Sequence, residues 1–180
     1  MKEVSARIDC IRSAISWIGS CNPRFREFGR HYTLNGLQHQ RFQTDMPVRW
    51  NSTYLMLQNC LDYDTTITGF FNMKLTEIGS SQTQAQALTS DDWYVARVFD
   101  EILKIYYNTI VTLSGVYYPT SSQTIHQIVE MSEVLNSYHE DTILGIAVVA
   151  METKLKKYWY TIPFLYALGL IVDHRGNYLV

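Results

Sequence analysis

Two side chains within one short run have the types and spacing to do chemistry: Arg49 and Trp50, in Asp45-Met46-Pro47-Val48-Arg49-Trp50. A tryptophan at the entrance to a helix, next to an arginine and following a basic segment, can offer its ring to an unstacked base. Such stacking is worth roughly 1–3 kcal/mol per base, and the neighbouring guanidinium can hold a phosphate. The same pair also reads as an ordinary helix-entry anchor, with the indole packed into a core. Spacing leaves both readings open.

The remaining candidates carry less. His31 and His39 lie eight residues apart without an acidic partner at ligand spacing, and His126, His139 and His174 are scattered, so no His-x-x-x-His metal helix is present. Asp62/Asp64 and Asp91/Asp92 are close pairs on helix edges and read as caps and solvated faces. Two-metal chemistry would need carboxylates converging from separate elements. Cys10, Cys21 and Cys60 form no Cys-x-x-Cys, and there is no Gly-x-Ser-x-Gly nucleophile motif. Thirteen tyrosines at helical spacing read as packing. No catalytic residue, metal ligand or cofactor site is expected.

The elements that would position Arg49 and Trp50 are helical. Val4, Ile8, Ile11, Ile15 and Ile18 step along one helix face with arginines opposite, and Gly19 to Pro23 ends that helix. Residues 24–48 are basic and polar, with a short helix expected over Leu34–Phe42. Pro47 pushes Met46 toward extended backbone. Asn51 or Ser52 is placed to cap the next helix, whose apolar positions Tyr54, Leu57, Leu61 and Ile67 run on toward Ile78. Ser80 to Ser90 reads as a loop. Thr89 or Ser90 starts a long helix with Val95, Phe99, Ile102, Tyr106, Ile110 and Leu113 as its buried face. A fourth helix carries Ile125, Ile128, Val129, Leu135 and Tyr138, and a fifth runs from about Asp141 to Ile162. An apolar piece, Phe164–Val172, closes the series. No strand–glycine-turn–helix unit for a nucleotide is present. The fold class is mainly α, a helical array.

Composition agrees. Apolar residues are 47% and charged residues 18% of the 180, which marks a globular chain. The net charge of −2 hides an asymmetry. Residues 1–50 hold eight bases against four acids, about +4, and the rest seven against thirteen, about −6. A polyanion-facing N-terminal part is the functional reading of that split. No run approaches the ~20 apolar residues of a membrane span, and the odd cysteine count fits a reducing compartment.

The run Asp45 to Leu57 resembles the Arg-Trp motif of hAT-superfamily DNA transposases, above all the plant RICESLEEPER-like proteins with BED zinc fingers. Three further stretches resemble the same family in order: Leu113-Ser114-Gly115 with Tyr118-Pro119-Thr120-Ser121, Lys154 to Trp159, and Ala167 to Arg175. In the last, His174 stands where relatives carry proline, and Gly176-Asn177 departs from their aromatic-lysine continuation. The resemblance implies a helical array corresponding to the insertion within an RNase-H-like transposase core. It implies one incomplete transposase region over 1–180: a basic segment at 1–50, a linking helix and loop at 51–97, and a hAT-like RNase-H-fold region at 98–180. It further implies that the Asp/Asp/Glu catalytic set, the zinc finger and the dimerisation segment lie outside these residues, so that the chain is not itself an enzyme. Asp45 belongs to the Arg-Trp motif and not to that set. Arg49 and Trp50 would be the DNA-binding residues, with Trp50 stacking on a base extruded near the transposon end. The implied partner is DNA, the implied location the nucleus, and no cofactor is called for. The alternative is a domesticated module that contacts protein partners, or a remnant without function.

Overall fold

The computed structural model describes residues 2–34, 36–38, 41–43, 45–46, 49–78, 86–114 and 121–159. Among them the regular elements are all helical: α1 Lys2–Gly19, α2 Asn22–Leu34, α3 Trp50–Cys60, a 3-10 turn Leu61–Tyr63, α4 Asp64–Ile78, α5 Ser90–Leu113, α6 Ser121–Ser137 and α7 Gly145–Trp159. The mainly-α reading holds. No described helix is long and apolar enough to cross a membrane. The chain divides into two compact units, Lys2–Asp100 and Glu101–Val180.

In the unit Lys2–Asp100, α1 packs on α2 and α4, and α2 on α4. The expected stripe Val4, Ile8, Ile11, Ile15 and Ile18 is buried throughout. It faces an aromatic cluster in which Phe28 meets Phe70 at 5.3 Å between ring centroids and Phe42 at 5.7 Å. Trp17 meets Phe71 edge-on at 5.6 Å. Edge-to-face contacts of this kind add about 0.5–1.5 kcal/mol each beyond area burial.

The helix expected over Leu34–Phe42 is not there. It lies earlier, as α2, and the described residues 36–38 and 41–43 are non-helical. Pro23 sits in the first turn, where a missing N–H costs nothing, and the Cys21 carbonyl accepts from Phe25 N–H at 3.1 Å. Gly36, at φ +72°, stops the chain in the left-handed region that a side chain resists. The helix expected to run unbroken from Tyr54 toward Ile78 is interrupted by the 3-10 turn. Leu61 is only half-buried, and Tyr63 takes the core position instead, its hydroxyl donating to the Gln38 carbonyl at 2.9 Å.

Thr89 stands at the start of α5, as expected, but its hydroxyl donates rather than accepting from the first N–H groups of the helix. Both its N–H and its hydroxyl donate to the Asp92 carboxylate at 2.8 Å. Asp92 is not a solvated acid, however: it is 5% exposed and accepts from Arg7 Nη1 at 3.2 Å.

The unit Glu101–Val180 buries Ile102, Leu103, Ile105, Met131, Leu135, Leu144, Ala147 and Val148, with α6 packed on α7. The buried face of α5 follows Val95, Val98, Ile102, Ile105 and Thr109, one position off the expected Phe99, Tyr106 and Ile110. Phe99 and Tyr106 are half-buried and Ile110 is exposed. The two faces share Val95 and Ile102, so the helix is turned by about one position from the expected register. On α6, Val129 is exposed and Met131 buried. The fifth helix begins at Gly145 rather than Asp141, because the Asp141 carboxylate accepts from the N–H groups of Ile143 and Leu144, both at 2.8 Å, and holds a turn. The Tyr118–Pro119 stretch and the segment Phe164–Val172 lie outside the described residues, as does Ala167–Arg175.

Candidate nucleic-acid interface

Asp45 is the anchor of the Arg-Trp run. Its side chain has no solvent exposure, and its Oδ2 accepts from Arg12 Nε at 2.8 Å, from Arg12 Nη2 and from the Thr53 hydroxyl at 2.9 Å. Three donors therefore converge on one oxygen, two from α1 and one from α3. Arg12 also pairs with Asp9 on its own helix. The other Asp45 oxygen is buried without a hydrogen-bond partner. A charged acceptor bonded this way is worth more than neutral pairs, and it ties the chain ahead of α3 to both helices.

Two further bonds tighten the run. Met46 N–H donates to the Ser52 hydroxyl at 2.7 Å, and Arg49 N–H donates to the Met46 carbonyl at 2.8 Å. Ser52 therefore does not cap α3, as either Asn51 or Ser52 was expected to. The N-cap is Arg49, in extended backbone (φ −122°, ψ 101°), with no side-chain cap bond. Its carbonyl accepts from Ser52 N–H at 2.9 Å and starts the helix.

This bracing presents Arg49 and Trp50 at the surface. Arg49 is exposed, and Trp50 is 38% exposed. Tyr54, one turn on, fills the core instead, at 7% exposed. Arg49 stands at the N-terminal, positive end of α3, and a cation there and the helix dipole both favour an anion.

The basic character of the N-terminal part sorts into two kinds of arginine. Arg7 and Arg12 are consumed by carboxylates. Arg26, Arg30, Arg41 and Arg49 are exposed and make no ion pair among the described residues. No described group of three or more His, Cys, Asp or Glu is arranged to hold a metal ion.

A family model, the ZBED1 RNase-like helical domain, matches residues 1–102. The chain belongs to this family. The family match takes in α1 to α4 and the first half of α5, the whole setting of Arg49 and Trp50. The chain is 27% identical over 133 residues to the putative AC transposase of Zea mays, covering 73% of this chain and 16% of that protein. It is 26% identical over 133 residues to zinc finger BED domain-containing protein RICESLEEPER 2 of Oryza sativa subsp. japonica, covering 73% and 18%. Against RICESLEEPER 1 of the same plant the figures are 24% over 170 residues, 92% and 22%. The chain is thus a helical, transposase-related protein of the kind the Arg-Trp run suggested, and it spans about a fifth of the length of these relatives. No solved structure matches it.

Sequence reasoning named Arg49 and Trp50 but missed Arg12, Ser52 and Thr53, the residues that brace them. Arg12 read only as the polar back of the α1 stripe. Its one signal was an aspartate that helix rules left without a purpose.

Proposed function

We propose that this chain is the helical module with which a hAT-type transposase, or a protein descended from one, grips DNA carrying unstacked bases. Trp50 stacks on an extruded base and Arg49 holds the adjoining phosphate. The observation that carries the reading is the partly exposed indole of Trp50, held beside an exposed arginine by a buried aspartate. Extruding a base costs a few kcal/mol, and a ring already in place recovers part of that cost. The exposed arginines of residues 24–49 supply the sequence-independent attraction, which weakens steeply as salt rises. The location that suits such a partner is the nucleus. Residues 98–180 we read as the flank of the same transposase region.

The chain carries no catalytic acid set of its own in this reading. Its best-placed acids are already engaged: Asp45 with Arg12, Asp92 with Arg7 and Thr89, Asp64 with Arg97. The test is binding of a DNA hairpin and of the matching duplex by the chain and by Trp50→Ala, with Mg²⁺ or Mn²⁺ present to reveal cleavage. A hairpin preference lost in the variant, and no cleavage by either protein, is the expected result. Equal hairpin binding by both proteins would sink the stacking role, and cleavage abolished by mutating an acid of this chain would sink the non-catalytic reading.

One observation favours a second reading, a surface for a protein partner. On α6 and α7, Val129, Val149 and Ile146 are exposed, the last at 81%. Exposed apolar side chains on neighbouring helices are the kind that interaction sites use. Absence of any DNA binding, with association abolished by Ile146→Asp, would favour it.

A further inference from the structure

A cavity of about 320 Å³ opens beside the C-terminal end of α1, in the unit Lys2–Asp100. Pockets for small ligands begin at about 300 Å³, so it has room for one small flat group. Phe25 and Phe42 give it aromatic walls, Ile15 an aliphatic one, Ser16 a hydroxyl, and Arg41 a guanidinium at the rim. Phe42 is fixed from behind, by Phe28 and by Tyr63 at 5.3 Å between ring centroids. Arg41 Cζ stands 5.4 Å from the centre of the Phe25 ring and makes no ion pair among the described residues.

The end of a helix normally repels an anion through its carbonyls. Here Arg24 cancels that field. Its guanidinium lies 3.6 Å from the centre of the Trp17 ring and donates to the Trp17 carbonyl at 2.6 Å and to the Ser20 hydroxyl at 2.8 Å. Beyond it, Arg26 and Arg30 lie one turn apart on the exposed side of α2. Aromatic walls, a hydroxyl able to donate or accept, and a guanidinium over a ring are the groups that proteins use on unstacked bases.

We propose that this cavity is a second receptor for an unstacked nucleobase, with Arg41 on the phosphate next to it and Arg26 and Arg30 on the following backbone. It rests on the reading of this chain as a DNA-gripping module, but it uses none of the groups around Trp50. A strand would then be held at two points.

The test measures the full chain binding a short oligothymidine and the same backbone with abasic sites in place of bases. Ser16→Trp fills the cavity from an exposed position without changing charge. Arg41→Ala removes the guanidinium without touching the Phe28–Phe42–Tyr63 packing. Ser16→Trp is expected to weaken oligothymidine binding by between about 5- and 150-fold and to leave the abasic strand unaffected. Arg41→Ala is expected to weaken both strands and to lower the salt slope by about one. Unchanged oligothymidine binding by Ser16→Trp, or an equal loss on both strands, overturns the receptor. Trp50→Ala, run alongside, separates the two ideas. If Trp50→Ala binds normally while Ser16→Trp fails on oligothymidine alone, the receptor stands and the Arg-Trp stacking role falls. The reverse pattern overturns the receptor and leaves Trp50. A wild-type chain that binds neither strand overturns both.

Discussion

Replacing Asp45 by alanine removes the one acceptor shared by Arg12 and Thr53. The carboxylate is fully enclosed, while the Arg12 side chain keeps 20% of its exposure and a second partner in Asp9. Taking one member out of a buried ion pair costs about 3–5 kcal/mol. Because Arg12 retains water and Asp9, the lower end applies, about 3 kcal/mol. For a unit of this size each kcal/mol is worth 4–8 °C, so the melting temperature should fall by roughly 12–24 °C. Urea unfolding followed by circular dichroism gives the free energy directly. Asp45→Asn keeps the shape and an acceptor oxygen, and should lose less than Asp45→Ala. Arg12→Ala should lose at least as much as Asp45→Ala, since it leaves the enclosed carboxylate with Thr53 alone. The Arg12→Ala/Asp45→Ala double variant should be less unstable than the sum of the two single changes, because neither charge is then orphaned. A loss below about 1 kcal/mol for Asp45→Ala, the range of exposed pairs, would refute the clamp. The DNA readout is separate: at a temperature where the variant stays folded, a relaxed Arg49–Trp50 should bind the hairpin less tightly.

Two further predictions concern titrating groups. Burial pushes the Cys60 thiol up to about 12, whereas Cys21 is exposed; a thiol reagent at mildly alkaline pH should modify Cys21 quickly and reach Cys60 only on unfolding, as read by mass spectrometry, and native labelling of Cys60 would contradict the packing of α3. The Lys156 ammonium, by its hydrogen bond, holds the Glu152 carboxyl below its ordinary 4.5. A depressed acid stabilises above its unfolded value and loses that contribution as pH falls through the folded one, so Glu152→Gln should flatten the loss of stability below about pH 4.5 in denaturation series, and an unaltered acid limb would contradict the pairing.

The sequence was most legible where one local rule sufficed. The α1 stripe from Val4 to Ile18 is buried as its spacing requires, because a helix with one apolar face has one way to pack. The start of α5 at Thr89–Ser90 was legible too, since hydroxyl, spacing and following acids all act within one turn. Rules of that range failed at α2. There Pro23 and Gly36 carried the boundaries, but a run of arginines and polar residues obscured Phe25 and Phe28. The same rules were one position off on α5, where the apolar face is broad and packing chooses which part of it turns inward.

The sequence by itself determined the helical class and, through its Arg-Trp run, the family. Only the tertiary structure decided that Trp50 stays partly exposed while Tyr54 goes inside. It alone showed that Asp45 is a buried anchor for Arg12, thirty-three residues away. The reason is physical. Periodicity and capping act over a turn or two of chain, whereas an enclosed carboxylate must find its cations wherever the fold brings them.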